Sequence, residues 1–189
     1  MHERETQLAE APIKKLLWKL SAPAMVGMLV MALYNLVDTI FIGRAVGILG
    51  IAGIAIVFPI HMLIMAIEQT IGIGGASFIS RKLGERKKEE TEFALGNIVS
   101  MVIISSIIMT VLGLVFIKPL LIAFGATDTI LPLAIEYARI IMLGIVFFSF
   151  GMVGNNLVRA EGNAKVAMIT MLIGALLNII LDPIFIFGF

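Results

Sequence analysis

The 189-residue chain is 60% hydrophobic, carries only 14% charged residues and has a mean hydropathy of +1.07. Such a chain cannot present a wettable surface, so it is an all-α integral membrane protein rather than a soluble domain. With no cysteine and two histidines, disulfides, thiolate catalysis and cysteine-bound metal are excluded, and a metal cluster has little to be built from.

Five charge-free runs organise the sequence: 20–37, 45–67, 93–117, 140–158 and 166–181. Each is near the ~20 residues a helix needs to cross hydrocarbon, and the shorter ones extend past a single acid. They predict spans at about 16–43, 50–79, 93–117, 133–158 and 164–188. The pair Lys14-Lys15 ahead of the first run resembles the basic start of a secretory signal. The run to Gly43 is too long for a signal core, however, and is broken by Pro23 and Asp38, so it is a retained span. Pro23 removes a backbone hydrogen bond and can act as a hinge between the start of this span and the part bearing Tyr34, Asn35 and Asp38.

The second span holds Pro59, His61, Glu68 and Gln69, then Gly72-Ile-Gly-Gly-Ala-Ser77. A glycine cluster inside a span serves close helix packing, with Gly72 and Ala76 as a small-xxx-small pair. It is not a phosphate loop, because the Lys-Ser/Thr ending is missing. Glu68 lies mid-span without a basic neighbour at helical spacing. It is either a supporting acid that lines a cavity or a hydrogen-bonded structural acid. The mixed-charge stretch from Arg81 to Glu90 reads as a cytoplasmic loop beside anionic lipid headgroups, and nucleic acid is not needed to explain it.

The third span has only small polar residues, Ser105, Ser106 and Thr110, and ends at Lys118-Pro119; we assign it to packing. An external turn follows at Gly125 to Asp128, with an interfacial helix starting between Asp128 and Pro132. In the fourth span Glu136 and Arg139, three residues apart, are expected to pair. Near its far end Asn155 and Asn156 can line an inner cavity or cap helix ends. The fifth span delivers Asn178, Asp182 and Pro183, and the proline deprives the Ile179 carbonyl of its helical donor.

The first and fifth spans echo one another. Asn35 precedes Asp38 by three residues, Asn178 precedes Asp182 by four, and each acid is followed by an Ile-Phe-Ile run and a glycine. If the two helices run in the same direction, both acids lie at one depth. Carboxylates in hydrocarbon face a bundle interior or a watery pathway, so two at one level mark a candidate ion site. Burial disfavours ionisation and neighbouring acids resist ionising together, so the two would titrate as a unit.

Lys and Arg in short loops set orientation. With the N-terminus inside, Arg4, Lys14, Lys15, Lys19, Arg81, Lys82, Arg86, Lys87, Lys88, Arg159 and Lys165 are cytoplasmic, against Arg44 and Lys118 outside. This asymmetry predicts a multi-pass protein of the cell (inner) membrane with a cytoplasmic N-terminus and Phe189 outside.

The ordered set Pro23, Tyr34, Val37 to Gly43, Gly74 to Gly84, Tyr137 to Ile141, Arg159 to Asn163 and Leu177 to Gly188 closely resembles multidrug and toxic compound extrusion (MATE) transporters, in particular the DinF-like prokaryotic branch. The resemblance covers nearly the whole chain. It implies most of the six-helix N-lobe of a twelve-helix, two-lobe antiporter that exports cationic or amphipathic drugs against protons or sodium by alternating access. It further implies that Asp38, Asn178 and Asp182 form the proton or sodium site with Tyr34 nearby, that Asn35, Glu68 and Asn155 are supporting or cavity-lining, and that Pro23 bends on protonation. No cofactor beyond the coupling ion is implied. The expected partners are membrane lipid, the small-molecule substrate and the missing C-lobe or a second chain. Since the chain stops after the fifth span, the expectation is a fragment lacking the sixth helix and C-lobe. The alternatives are an exporter of lipid-linked saccharides from the same wider superfamily, or a non-transporting truncated fragment. No nucleophile-base set points to an enzyme.

Overall fold

The computed structural model describes residues 12–188; Arg4 and Phe189, assigned to sides above, lie outside the described residues. Six helices follow in order: α1 (Ile13–Ala45), α2 (Ile48–Gly84), α3 (Lys88–Val115), α4 (Ile117–Ala123), α5 (Leu131–Ala160) and α6 (Ala164–Phe187). Five of them, all but α4, are long and apolar enough to cross a membrane. Among the described residues there is no strand. With 37 residues, α2 is about 55 Å long, well beyond the ~30 Å hydrocarbon core, so its polar last turns stand outside the membrane.

The connections are short and force alternation of direction. Val46 and Gly47 alone join α1 to α2, and Gly47 takes φ 74, a left-handed conformation that glycine adopts without steric cost. The α2–α3 turn is closed by ion pairs: Lys82 meets Glu85 at 3.1 Å and Glu90 at 2.8 Å, and Lys87 meets the same two acids at 3.4 and 3.2 Å. Lys82 first, then Lys87, holds the Glu85 carboxyl below its usual range. Glu89 and Glu90 in the first turn of α3, and Arg81 and Lys82 in the last turn of α2, also complement the helix dipoles.

Two expectations for the opposite end need correction. The short interfacial helix is α4, Ile117–Ala123, and Leu131 opens α5 directly. Pro119 falls in the first turn of α4, where its missing N–H has no helical partner to lose, so the proline permits the helix instead of ending it. Glu136 and Arg139 form no ion pair among the described residues; both are exposed, so each is free to meet solvent or headgroups.

Helices α2, α3 and α5 pack as a three-helix bundle with two apolar cores stacked along it. One core joins Val57, Ile60 and Ile64 to Ala134, Ala138, Met142 and Ile145, and is closed by Ile117 and Leu121 of α4. The other joins Ile79, Ile98, Val102, Val153 and Leu157. Between them lies a polar layer made of Glu68, Ser106 and Ser149, each with no exposed surface, and Ser105. Helices α1 and α6 pack extensively on each other and touch the bundle along narrower seams, α6 against α5 and α1 against α2. Neither contributes to the two cores. Counting reversals along the chain, α1 and α6 run in the same direction.

Close approach of α2 to α5 depends on Gly72. A Cβ there would sit 2.6 Å from Asn156 Nδ2 and 3.4 Å from Val153 Cγ2. The Asn156 amide cannot retreat freely, because it donates to Gln69 Oε1 at 2.8 Å and accepts from Arg159 Nη2 at 2.8 Å. Gly72→Ala should therefore destabilise the protein by about 1–3 kcal/mol despite better helix propensity. Gly74, where an added methyl group would meet nothing within 4 Å, provides the control: Gly74→Ala should be neutral or stabilising by up to ~1 kcal/mol. Thermal unfolding of both variants in detergent checks this, and equal melting temperatures would contradict it.

Candidate functional site

The parallel packing of α1 and α6 puts Tyr34 and Asp38 of α1 beside Asn178 and Asp182 of α6. Asp182 is near enough for its charge to act on Asp38, and both acids act on Tyr34. Asn178 Nδ2 donates to Asp182 Oδ1 at 3.0 Å, a bond one turn long on a single helix face. The other atoms of this pair, Asn178 Oδ1 and Asp182 Oδ2, are buried with no hydrogen-bond partner. One turn back, Pro183 supplies no N–H to the Ile179 carbonyl, which adds a further oxygen to the neighbourhood. Two carboxyls, an amide oxygen and a carbonyl thus gather on the α1–α6 pair, an arrangement that accepts a proton or a hard cation held by oxygen. Among the described residues no group of three or more His, Cys, Asp or Glu could hold a metal ion, so any cation here would rely on the neutral oxygens as well.

A cleft of about 220 Å³ opens beside the pair, lined by Met31, Tyr34, Met171, Gly174, Ala175 and Asn178. Asn178 therefore touches both the acid and the cleft. The small residues Gly174 and Ala175 let it form, and the two methionines give it an adaptable wall.

Tyr137 of α5 joins the group, close enough for the charge of Asp38 and for Tyr34 to act on its phenol. Reading along the chain does not single it out as a site residue, because only the tertiary fold carries α5 to α1. A signal is present nonetheless: the chain has just two tyrosines, both near the same end of an apolar span, and they meet at the acids.

Three expected supporting residues lie apart from the cluster. Asn35 is exposed, and its amide donates to the Met31 carbonyl of its own helix at 2.8 Å. The spacing explains this: three residues on a helix leave two side chains about 60° apart, against about 40° for four, so Asn35–Asp38 does not repeat the Asn178–Asp182 bond. Glu68 lines no cavity; it is enclosed by α2, α3 and α5 and accepts a hydrogen bond from Ser105 Oγ at 3.0 Å. Asn155 holds the α5–α6 seam, donating to the Ala167 carbonyl at 2.9 Å and Thr170 Oγ1 at 3.1 Å. Ala167 is roughly 16 Å along α6 from Asn178. Pro23 sits inside an unbroken α1, four residues before Gly27, where the helix meets Met171 of α6.

Comparison with known proteins gives a consistent likeness. The MatE family profile matches residues 23–184. A FAD transporter of Shewanella oneidensis is 31% identical over 96% of this chain and 40% of its own length. The multidrug export protein MepA of Staphylococcus aureus is 29% identical over 95% of this chain and 40% of its own. Among solved structures, the MATE multidrug transporter DinF-BH, determined in complex with a small molecule, superposes with a TM-score of 0.89 at 52% identity, over 93% of this chain and 40% of that one. The chain spans about 40% of the length of each of these relatives.

The Asn178–Asp182 bond has a measurable signature. Asn178→Ala should cost about 1–3 kcal/mol of stability, and much less once Asp182 is already Asn. A double-mutant cycle by thermal unfolding reads the coupling, and additive effects would show that the two side chains do not act together.

Proposed function

The chain belongs to the MatE family, and we propose that it forms one lobe of a cation-coupled exporter in which Asp38, Asn178 and Asp182 bind the coupling ion. The observation carrying this reading is the meeting of the two acids on parallel helices, with two buried acceptor atoms left without partners. A proton needs one of the carboxyls. Sodium would use the carboxyls together with Asn178 Oδ1 and the Ile179 carbonyl. Either ion neutralises the pair from the α1–α6 side. Asn178 then links ion occupancy to the shape of the adjoining cleft, which is where an amphipathic substrate would lose affinity.

The charge asymmetry supports an orientation with the N-terminus in the cytoplasm. The ends carrying Lys82, Lys87, Arg159 and Lys165 face inward, and the acids stand in the outer half of the membrane. An ion entering from outside thus reaches the pair first, which gives exchange of ion for drug by alternating access. No feature of the site calls for bond-making chemistry, and the protein is read as a transporter rather than an enzyme.

Substrate class follows from the site and from the relatives. The acids and the methionine-lined cleft favour cationic or amphipathic compounds, in keeping with the multidrug export of MepA and DinF-BH. The likeness to a FAD transporter makes FAD the second compound to assay.

In the full-length protein containing this sequence, reconstituted in vesicles, ion binding should change the affinity for a cationic amphipathic dye by roughly 5- to 150-fold. Asp38→Asn and Asp182→Asn should each bring that ratio close to one and abolish gradient-driven efflux while leaving the protein folded. Proton and sodium gradients applied separately identify the ion. Efflux unchanged in both variants would sink the proposal.

A further inference from the structure

Glu68 is the only fully buried carboxyl among the described residues, and the acid pair on α1 and α6 makes no use of it. It projects from α2 into the polar layer between the two apolar cores. Ser105 of α3 donates to its Oε1 at 3.0 Å. Ser149 of α5 lies beside it, but no hydrogen bond of ordinary geometry joins them: Glu68 Oε2 and Ser149 Oγ are both buried without a partner.

No charge faces this carboxyl from any element packed around it. Residues 93–117 of α3 and 140–158 of α5 contain no Asp, Glu, Lys, Arg or His. On α2 itself the nearest ionisable group is His61, two turns away and set edge-on against Phe148, and Gln69 is neutral. Arg159 of α5 is beyond the second core and donates to Asn156. Lys118 of α4 is at the far side of the first core, and α1 meets α2 near Gly43 and Ile51, at the start of α2. An ionised carboxylate here would be desolvated with no compensating cation, which proteins seldom sustain. One added proton resolves two defects at once, since a Glu68 Oε2–H can donate to Ser149 Oγ and leave neither atom orphaned.

We propose that Glu68, Ser105 and Ser149 form a proton-binding site, separate from the Asp38–Asp182 pair, in which Glu68 is held as the neutral carboxylic acid and bridges α3 to α5. The bound species is a single proton. Sodium fits poorly, because the three side chains offer few oxygens and only one formal charge.

Infrared spectroscopy of the full-length protein in lipid at neutral pH tests this, read in an Asp38→Asn/Asp182→Asn background so that the other pair contributes nothing. The expected result is a protonated-carboxyl C=O band that is insensitive to sodium chloride, absent in Glu68→Gln and displaced in Ser149→Ala. Gln preserves the shape and the donor of the neutral acid, so Glu68→Gln is expected to fold with little change in melting temperature. If it does not fold, Ser149→Ala decides: a displaced band supports the site and an unmoved band overturns it. A band that persists in Glu68→Gln, no such band in the background protein, or loss of the band on adding sodium would each overturn it too.

Discussion

Hydrocarbon offers no partner to a carboxyl group, and this governs where each intramembrane acid of the chain can sit. Asp38, Glu68 and Asp182 are all met by polar groups of another helix or of their own. Glu68 is met from two sides, within a three-helix bundle whose packing is dense enough to exclude water. Asp38 and Asp182 are met by each other and by Asn178, beside an open cleft. Burial without access makes the first a fixed element of the bundle, whereas burial beside access makes the second an exchangeable site.

The same contrast runs through the packing. The bundle of α2, α3 and α5 is closed by branched aliphatic side chains and by glycines at Gly72, Gly75 and Gly113 that admit Asn156, Ile98 and Met142. The α1–α6 pair has little of this. Its buried residues are small, Gly27, Ala164, Ala167 and Ala175, and its large apolar side chains, such as Leu29, Leu33, Leu176 and Ile180, point outward. Small residues allow close contact without interlocking, so the pair is held to the bundle mainly by polar ties such as Asn155 to Ala167 and Thr170.

The five spans are legible in the sequence because hydropathy and charge-free length reflect the same exclusion of polar groups that folds the chain. The acid pair is legible for a related reason: two acids, each followed by a similar apolar run, fall at equal depth when their helices are parallel. What sequence does not convey is anything depending on a third helix. Tyr137 reaches the acids only through the fold, and the two readings of Glu68 separate only once Ser105 and Ser149 are in place. Asn35 looks equivalent to Asn178 along the chain, yet a spacing of three turns its amide away from the acid where a spacing of four brings it round. Glu136 and Arg139 are near in sequence, which does not bring two exposed side chains together when water competes for both.

The two-residue turn between α1 and α2 has a mechanical consequence. Two residues span at most about 7 Å, so the end of α1 at Ala45 is pinned to the start of α2 whatever the rest of the helix does. Any tilt of α1 is then rotation about a fulcrum at that end. Asp38 lies about 12 Å from the fulcrum and Pro23 about 35 Å. A tilt that shifts the carboxyl by about 1 Å therefore sweeps the helix at Pro23 by about 3 Å, and the short arm of the lever is the one that carries the acid.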